Sequence, residues 1–416
     1  MSLIVILVIV TALSFDFTNG FHDTANAMAT SVATGALRPR VAVAISAVLN
    51  LAGAFLSLEV AKTVASGLVD ENVITPAVIF AGLIGAIIWN LATWLLGLPS
   101  SSSHALFGGL IGATWVALGT HAVHFNAVLN KVVIPAVASP IICGIVAGVG
   151  TYLAYTITAR SPEKRVAGGF RYGQVASASL VSLAHGTNDA QKTMGVITLA
   201  LIASHHLPQD SDPPLWVIGS AGLAIALGTY IGGWRIMRTL GTKITEITPR
   251  QGMAAEAASA TVILASTHLG FPLSTTQVVS GGVVGAGVGR RLAKVHWGTF
   301  GRMALAWAFT LPAAGLVGAG AGKLAKSGTT GTIVVAVIGA LAALGMYLVS
   351  RRNPVNASNV NEIAPIAARQ LAPAGVTAPA QAAGGDGLGG HSFRDDSSRD
   401  DSIRDDSIRD DSREAR

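Results

Sequence analysis

The sequence predicts an all-α integral membrane protein with about ten to eleven transmembrane or re-entrant helical segments in two inverted repeats. Of the 416 residues, 51% are hydrophobic and 12% are charged, whereas a soluble domain is about one-quarter charged. Apolar runs long enough to span a bilayer recur along the chain, five in each half with one more near position 340. Unusual polar segments interrupt both halves at matching places.

The polar residues between the apolar runs divide the chain into five predicted parts. These are a first transmembrane repeat (1–157), a cytoplasmic linker (158–173), a second transmembrane repeat (174–326), an extra transmembrane helix (327–352) and a disordered charged cytoplasmic tail (353–416). The tail ends in repeated Arg-Asp-Asp-Ser units, which cannot bury apolar surface. Its composition fits a solvated tail as well as a regulatory or partner-binding one.

The distribution of Lys and Arg predicts the orientation. With the linker in the cytoplasm, fifteen Lys and Arg residues fall in cytoplasmic loops and four on the outer side, as the positive-inside rule requires. Because each half has five segments, the two halves would enter the membrane from opposite sides. The repeats are therefore predicted to be inverted, in the cytoplasmic (plasma) membrane.

A polar motif with an aspartate occurs once in each half. The first copy, GFHDTANA, contains Asp23 and Asn26, and the second, AHGTNDAQKTMG, contains Asn188, Asp189 and Gln191. Charged side chains inside a bilayer are costly, and duplicated halves interrupted at the same place are typical of a transporter site. We expect Asp23, Asn26 and Asp189 to bind a coupling cation, although either aspartate alone would also suit a helix cap or an interhelical pair.

A glycine opens each aspartate motif, at Gly20 and Gly186. Glycine is unfavourable inside a helix, and a broken helix exposes backbone carbonyls that lipid tolerates only around a cavity. The sequence thus predicts that both membrane segments are broken near these glycines. Freed carbonyls beside carboxylate and amide oxygens would suit a small cation or a proton.

The second duplicated segment reads GLPSSSSHALFGGLIGA in the first half and GFPLSTTQVVSGGVVGA in the second. A Gly-x-Pro followed by hydroxyl residues and an apolar run is the pattern of a helix N-terminus, which favours an anion. Two such ends facing each other would surround an oxyanion, and ordinary capping is the simpler alternative. The residues predicted to bind substrate are Ser101, Ser102, Ser103, Asn188, Gln191, Ser274, Thr275, Thr276 and Gln277.

Other polar residues lie near these motifs. Lys192 is the intramembrane cation nearest the site, suited either to bind an anion or to pair with an aspartate. His22 could titrate or only form a hydrogen bond. Glu59, Glu256 and Asn90 are predicted to be buried, as ligands or in interhelical hydrogen bonds. The remaining histidines lack metal-ligand spacing, so we expect no resident metal and no tightly bound cofactor.

The motifs resemble those of the inorganic phosphate transporter (Pit) family, and most closely its bacterial low-affinity phosphate permeases. That family has a GANDxANA-type signature in each half, and Asp23 and Asp189 occupy the shared aspartate here. The first copy has Phe21 and His22 in place of Ala-Asn, a variant similar to the bacterial members. The segments IIWNLATW and AWAFTLPAA also resemble the family, so the likeness covers nearly all of residues 1–352.

The resemblance implies a proton- or sodium-coupled symporter that imports inorganic phosphate, either free or as a neutral complex with a co-transported divalent metal. Its expected partners are phosphate and the lipid bilayer, with no nucleic acid, and a homo-oligomer is left open. A permease of the same fold for another oxyanion, such as sulfate, is the alternative. An intramembrane hydrolase is disfavoured because Ser103 and His104 are adjacent on one helical turn and do not face each other, and no G-x-S-x-G elbow occurs.

Overall fold

The computed structural model describes residues 1–290 and 295–361, which fold into helices joined by short loops. The helices of the first half are α1 (Leu3–Ala33), α2 (Pro39–Gly53), α3 (Glu59–Ser66), α4 (Pro76–Leu96), α5 (Ser102–Leu118), α6 (Phe125–Val128) and α7 (Ile134–Ile157), with a π-helical turn at Leu129–Val133. The predicted helical class is confirmed.

The second half repeats this order of long and short helices. Its helices are α8 (Glu163–Ala203), α9 (Leu215–Ile231), α10 (Trp234–Thr242), α11 (Pro249–His268), α12 (Thr275–Gly289) and α13 (Trp297–Ala325), followed by the extra helix α14 (Thr329–Ser350). The helix α8 begins inside the segment predicted as a linker, so most of residues 158–173 extend the first helix of the second half.

Five helices of the described part are long and apolar enough to cross a membrane, and six if α9 and α10, bent by 67°, form one span. The five are α1, α4, the continuous helical segment from Phe125 to Ile157, α13 and α14. The short helices α5 and α12 are apolar but cover only 17 and 15 residues. The protein is therefore a membrane protein with several spans, and the exact number of crossings stays a prediction.

Packing between the halves follows one scheme. The helix α1 packs against α9, and its counterpart α8 packs against α2. In the same way α5 packs against α13, and α12 packs against α7. Each half therefore places its short helix against the last long helix of the other half, which brings the duplicated motifs to the centre of the molecule.

The predicted helix breaks near Gly20 and Gly186 are wrong, because α1 and α8 are continuous through both glycines. A Cβ atom on Gly20 would lie 2.3 Å from the carbonyl oxygen of Ile225, and one on Gly186 would lie 2.3 Å from that of Asn50. These glycines let α9 and α2 approach the two motif helices closely, as small residues do in membrane proteins.

The apolar run 41–69 is long enough to span a bilayer as one segment, but it forms the two helices α2 and α3. The side-chain oxygen of Gln191 accepts hydrogen bonds from the backbone N–H groups of Val60 and Ala61, at 2.8 and 3.2 Å. This amide from α8 satisfies donors at the start of α3. The local sequence gives no sign of the break because the group that caps the new helix comes from the other half.

The predicted tail boundary at residue 353 also changes. The guanidinium of Arg235 donates to the carbonyl oxygen of Asn353 at 2.6 Å, and that of Arg238 donates to the carbonyl oxygen of Asn359 at 2.6 Å. The side chain of Val360 is buried among the helices. Residues 353–361 therefore pack on the helical body, and the rest of the predicted tail, 362–416, lies outside the described residues.

Candidate functional site

The two hydroxyl-rich segments form helix N-termini, as the sequence predicts. Ser101 is the N-cap of α5, and its hydroxyl accepts a hydrogen bond from the backbone N–H of His104 at 3.1 Å. Ser274 is the N-cap of α12, and its hydroxyl accepts one from the N–H of Gln277 at 3.4 Å. Each of these serines therefore acts as a cap, and the hydroxyls after them extend toward α1 and α8.

Asp23 of α1 accepts hydrogen bonds from both short helices. The hydroxyl of Ser102 donates to its Oδ2 at 2.7 Å, and that of Thr276 donates to its Oδ1 at 3.3 Å. One turn further along α1, the amide of Asn26 donates to Thr276 Oγ1 at 2.9 Å. All four side chains are buried, so α1 is joined to α5 and α12 by a water-excluded hydrogen-bond network.

Asp189 of α8 forms the corresponding network in the second half. The hydroxyl of Thr275 donates to its Oδ2 at 3.3 Å, and the ammonium of Lys192 donates to its Oδ1. Lys192 also donates to Ser103 Oγ at 2.6 Å and to the carbonyl oxygen of Leu273 at 2.7 Å. Of the two roles predicted for Lys192, the structure therefore places it as the partner of an aspartate.

Two contacts recur at equivalent positions in the two halves. Aligning the motifs on their aspartates places Asn26 on Lys192, and aligning the short helices places Ser102 on Thr275. The first hydroxyl of each short helix donates to the aspartate of its own half. The residue three positions after each aspartate bonds the second hydroxyl of the opposite half.

Two histidines lie against the aspartates. His22 Nδ1 is 2.5 Å from Asp23 Oδ1, and His185 Nε2 is 3.2 Å from Asp189 Oδ2. The ligand atoms of Asp23, His185 and Asp189 lie within 4.8 Å of one another, so these residues could hold a cation between the halves. Sequence reasoning missed His185, although its place four residues before Asp189 on one helix face could have indicated it.

Three predicted substrate ligands make other contacts. The amide oxygen of Gln191 binds the start of α3, as described above. The amide nitrogen of Asn188 donates to Thr267 Oγ1 at 2.7 Å. Gln277 Nε2 lies 3.4 Å from His104 Nδ1, so these two residues face each other across the short helices. Their role in binding substrate stays a prediction.

The predicted buried acids differ in their surroundings. The prediction that Glu59 is buried is wrong, since its side chain is 51% exposed and pairs with Lys62 at 3.4 Å. Glu256 is buried and accepts hydrogen bonds from the hydroxyl groups of Ser31 at 2.8 Å and Ser177 at 2.7 Å. Asn90 is buried, and neither of its amide atoms has a hydrogen-bond partner in the described part of the chain.

The structure places groups that suit a cation next to groups that suit an anion. Carboxylates and an imidazole between the halves suit a cation, while the N-termini of α5 and α12 have a partial positive charge that suits an anion. With both histidines neutral, the two carboxylates of Asp23 and Asp189 and the ammonium of Lys192 have a net charge of −1. Binding of a cation and binding of an anion in such a cluster would therefore favour each other.

Known proteins are similar to this chain in sequence and in fold. Residues 19–318 match the model of the phosphate transporter family. Over 361 residues the chain is 58% identical to a probable low-affinity inorganic phosphate transporter of Mycobacterium bovis, covering 86% of this chain and 87% of the relative. A protein of the same description from Bacillus subtilis is 42% identical, with 76% and 96% covered.

A solved structure described as the sodium-dependent phosphate transporter has a TM-score of 0.69 to this chain at 25% identity, covering 77% of this chain and 98% of that one. The resemblance drawn from the duplicated motifs is thus confirmed, as is the prediction of a transporter and not an enzyme. By its matched motifs, its helices and its relatives, the chain belongs to the phosphate transporter family.

Proposed function

We propose that the protein imports inorganic phosphate across the cytoplasmic membrane by symport with a cation, and that the tail lies in the cytoplasm. The main support is the pair of buried aspartates that bind the hydroxyls at two helix N-termini. Phosphate would replace the carboxylates as the acceptor of those hydroxyl hydrogen bonds. The relatives named as inorganic phosphate transporters support the choice of substrate.

In this proposal, the charges at the site explain why phosphate and the cation are transported together. A phosphate anion near Asp23 and Asp189 would be repelled by two carboxylates, and the ammonium of Lys192 neutralises only one of them. A cation taken up beside these carboxylates would reduce that repulsion, which is large in a water-excluded site. Each ion therefore strengthens the binding of the other, which symport requires.

Hydrogen-bond chemistry favours phosphate over sulfate. Phosphate is protonated near neutral pH, so its P–O–H groups can donate to the carboxylates of Asp23 and Asp189. Sulfate has no proton to donate, so a carboxylate oxygen that loses a hydroxyl donor to sulfate would gain no donor in return. Sites built to bind a donor reject an analogue that lacks it by about 10⁴-fold. The divalent metal, if one is co-transported, would enter as a ligand of the phosphate itself.

The experiment is phosphate uptake by the purified full-length protein in liposomes, with imposed gradients of protons or of sodium. Accumulation that depends on one gradient, with unlabelled phosphate competing and sulfate not, is expected. Equal competition by sulfate would favour the oxyanion alternative. Lack of phosphate accumulation under either gradient, by protein that is folded and inserted, would overturn the proposal.

Orientation is tested separately with reporter fusions in cells. A fusion within 163–168 or at Gly389 is expected to report a cytoplasmic position, and one near Asp70 an external position. These positions are expected because Lys and Arg are in excess in the loops assigned to the cytoplasm. A cytoplasmic reporter at Asp70 would contradict the inverted arrangement of the halves.

A further inference from the structure

A second polar site lies on α1, two helical turns before Asp23. It centres on Asp16, whose side chain is fully buried. Within the part of the chain that the structure describes, neither carboxyl oxygen of Asp16 has a hydrogen-bond partner. A charged carboxylate without partners in a membrane interior is costly, so this residue needs an explanation that the cluster around Asp23 and Asp189 does not supply.

The polar groups beside Asp16 are Asn19, one turn along α1, and Thr193 of α8. The amide oxygen of Asn19 and the hydroxyl of Thr193 are also buried without hydrogen-bond partners among the described residues. Four oxygen atoms from three side chains and two helices therefore lie together without the hydrogen bonds that buried polar groups normally make.

The charged groups that interact with the Asp16 carboxyl are Asp189 and Lys192 of α8. Lys192 is already bound to Asp189, Ser103 and Leu273, so it is not a hydrogen-bond donor to Asp16. The helices α4 and α12, which also pack on α1, contain no Asp, Glu, Lys, Arg or His, and α9 adds only Tyr230, which is exposed. The other described helices around α1 also contain charged or titratable side chains. These are Arg40 on α2, His104 on α5, Arg171, Tyr172 and His185 on α8, Arg235 and Arg238 on α10, and Arg250, Glu256 and His268 on α11.

One proton would satisfy all four oxygens. Bound to one carboxyl oxygen of Asp16, it would be donated to the amide oxygen of Asn19. The hydroxyl of Thr193 would then donate to the other carboxyl oxygen. A protonated acid is both donor and acceptor. The amide N–H groups of Asn19 and the hydroxyl of Thr193 can donate to the carboxyl group, and the proton is the donor that the amide oxygen of Asn19 otherwise lacks.

We propose that Asp16, with Asn19 and Thr193, is a proton-binding site that loads and releases the coupling proton of transport. This inference rests on the proposed function and names its coupling ion. A proton from the outer solution forms an O–H bond with the Asp16 carboxylate. The same bond breaks when the proton leaves to the inner solution, so each cycle returns the carboxylate without any change in oxidation state.

The separation of Asp16 from Asp23 supports a distinct role. Seven residues along a helix place the two carboxyl groups about 10 Å apart on the same face of α1. Protonation of Asp16 removes a negative charge near Asp189, and thereby favours an anion at the helix N-termini. By linkage, bound phosphate then favours the proton to the same degree.

The test compares the wild-type protein with Asp16→Asn, Asp16→Glu and a control, Asp70→Asn, in liposomes. Asp70 lies in a loop and accepts hydrogen bonds from Asn72. An amide resembles the protonated acid in shape and charge, so Asp16→Asn should keep phosphate exchange between equal concentrations. Its proton-driven accumulation and the accompanying acidification of the lumen should fall about tenfold or more. Asp16→Glu should retain both, and Asp70→Asn should match the wild type.

The outcomes separate this proposal from the proposed function. Proton-driven accumulation by Asp16→Asn with the pH dependence of the wild type would overturn the proton site while leaving phosphate import intact. Loss of a sodium dependence in Asp16→Asn would also overturn it, because the site would then bind sodium. Absence of any phosphate uptake by the wild type would overturn the proposed function.

Infrared spectroscopy tests the site without transport. The difference between the wild-type spectrum and that of Asp16→Asn near neutral pH should contain the C=O stretch of a buried protonated carboxylic acid, and the difference between the wild type and Asp70→Asn should not. The band should weaken as the pH is raised, since the deprotonated acid lacks it. Identical spectra of the wild type and Asp16→Asn would contradict the proposal even if both proteins transport phosphate.

Discussion

The contacts around Asp23 in the first half and around Asp189 in the second half involve equivalent positions, but the charges of the residues differ. In the second half, Asp189 is bound by the ammonium of Lys192. In the first half, the corresponding position is Asn26, a neutral amide whose bonds go to the hydroxyls of α12. Asp189 thus has a permanent cation inside the protein, whereas Asp23 has only His22 and hydroxyl donors around it.

This difference suggests a division of work between equivalent positions. An aspartate already neutralised by a lysine has less need of a transported cation. An aspartate without such a partner is stabilised when a cation arrives from solution. Under the proposed symport, the difference between Asn26 and Lys192 would make the first half the side that responds to the transported cation.

The largest expected effect follows from removing either aspartate. Asp23→Asn and Asp189→Asn should each lower coupled phosphate uptake about a hundredfold, because both lose a charged partner of buried hydrogen bonds. Uptake at equal protein density in liposomes measures the effect, with Asp70→Asn as the control for loss of an acid elsewhere. Uptake near the wild-type level for Asp23→Asn would remove the first half from the cation site.

The variants Asp23→Asn and Asp189→Asn should differ more in thermal stability than in phosphate uptake. Asp189→Asn leaves Lys192 buried without its carboxylate, and breaking a buried ion pair costs about 3–5 kcal/mol. Asp23→Asn breaks no such pair and should unfold close to the wild-type temperature. Thermal unfolding in detergent measures the contrast.

The double substitution Asp189→Asn with Lys192→Met serves as the control for this contrast. It removes both charges together, so it should recover most of the stability lost by Asp189→Asn and none of the uptake. Equal stability of the two single aspartate variants would show that Lys192 does not make the halves different.

The smallest expected effect concerns the hydroxyls. Ser102→Ala and Thr275→Val each remove one neutral donor to an aspartate, worth about 1 kcal/mol, which corresponds to about a fivefold rise in the apparent KM for phosphate. The bond from Ser102 is 2.7 Å long and that from Thr275 is 3.3 Å, so the first half should respond more strongly.

The cap residues provide the matched control for the hydroxyl variants. Ser101→Ala and Ser274→Ala remove hydroxyls that bond only within their own helix ends in the described structure. They should lower stability by about 1 kcal/mol without changing KM. A KM change for the caps as large as for Ser102→Ala would mean that the hydroxyls act through helix stability alone.

Local sequence was sufficient for the features that depend on neighbouring residues. The N-termini of α5 and α12 follow from Gly-x-Pro and the hydroxyl run, because capping is a contact between residues three positions apart. The special status of Asp23 and Asp189 follows from the cost of a charge in lipid and from their duplication. The helical membrane class follows from composition and from the length of the apolar runs.

Tertiary structure decided the features that depend on distant partners. Gly20 and Gly186 could break a helix or let another helix approach, and only the positions of α9 and α2 show the second. Thr276 reaches Asp23 across 253 residues, and Gln191 caps a helix of the other half. Asp16 stands out only once its oxygens are seen buried without partners.

The sequence by itself therefore determined which residues are unusual, since unusual residues in lipid are a matter of composition and local spacing. It did not determine which of them meet across the two halves. Lys192 is three residues from Asp189 and His22 is next to Asp23, so these pairs follow from local spacing. The contacts that packing created are those between the halves, such as the hydroxyl of Thr276 on Asp23 and the ammonium of Lys192 on Ser103. Burial raises the cost of an unpaired charge, so the fold makes the difference between Asn26 and Lys192 a large one in free energy.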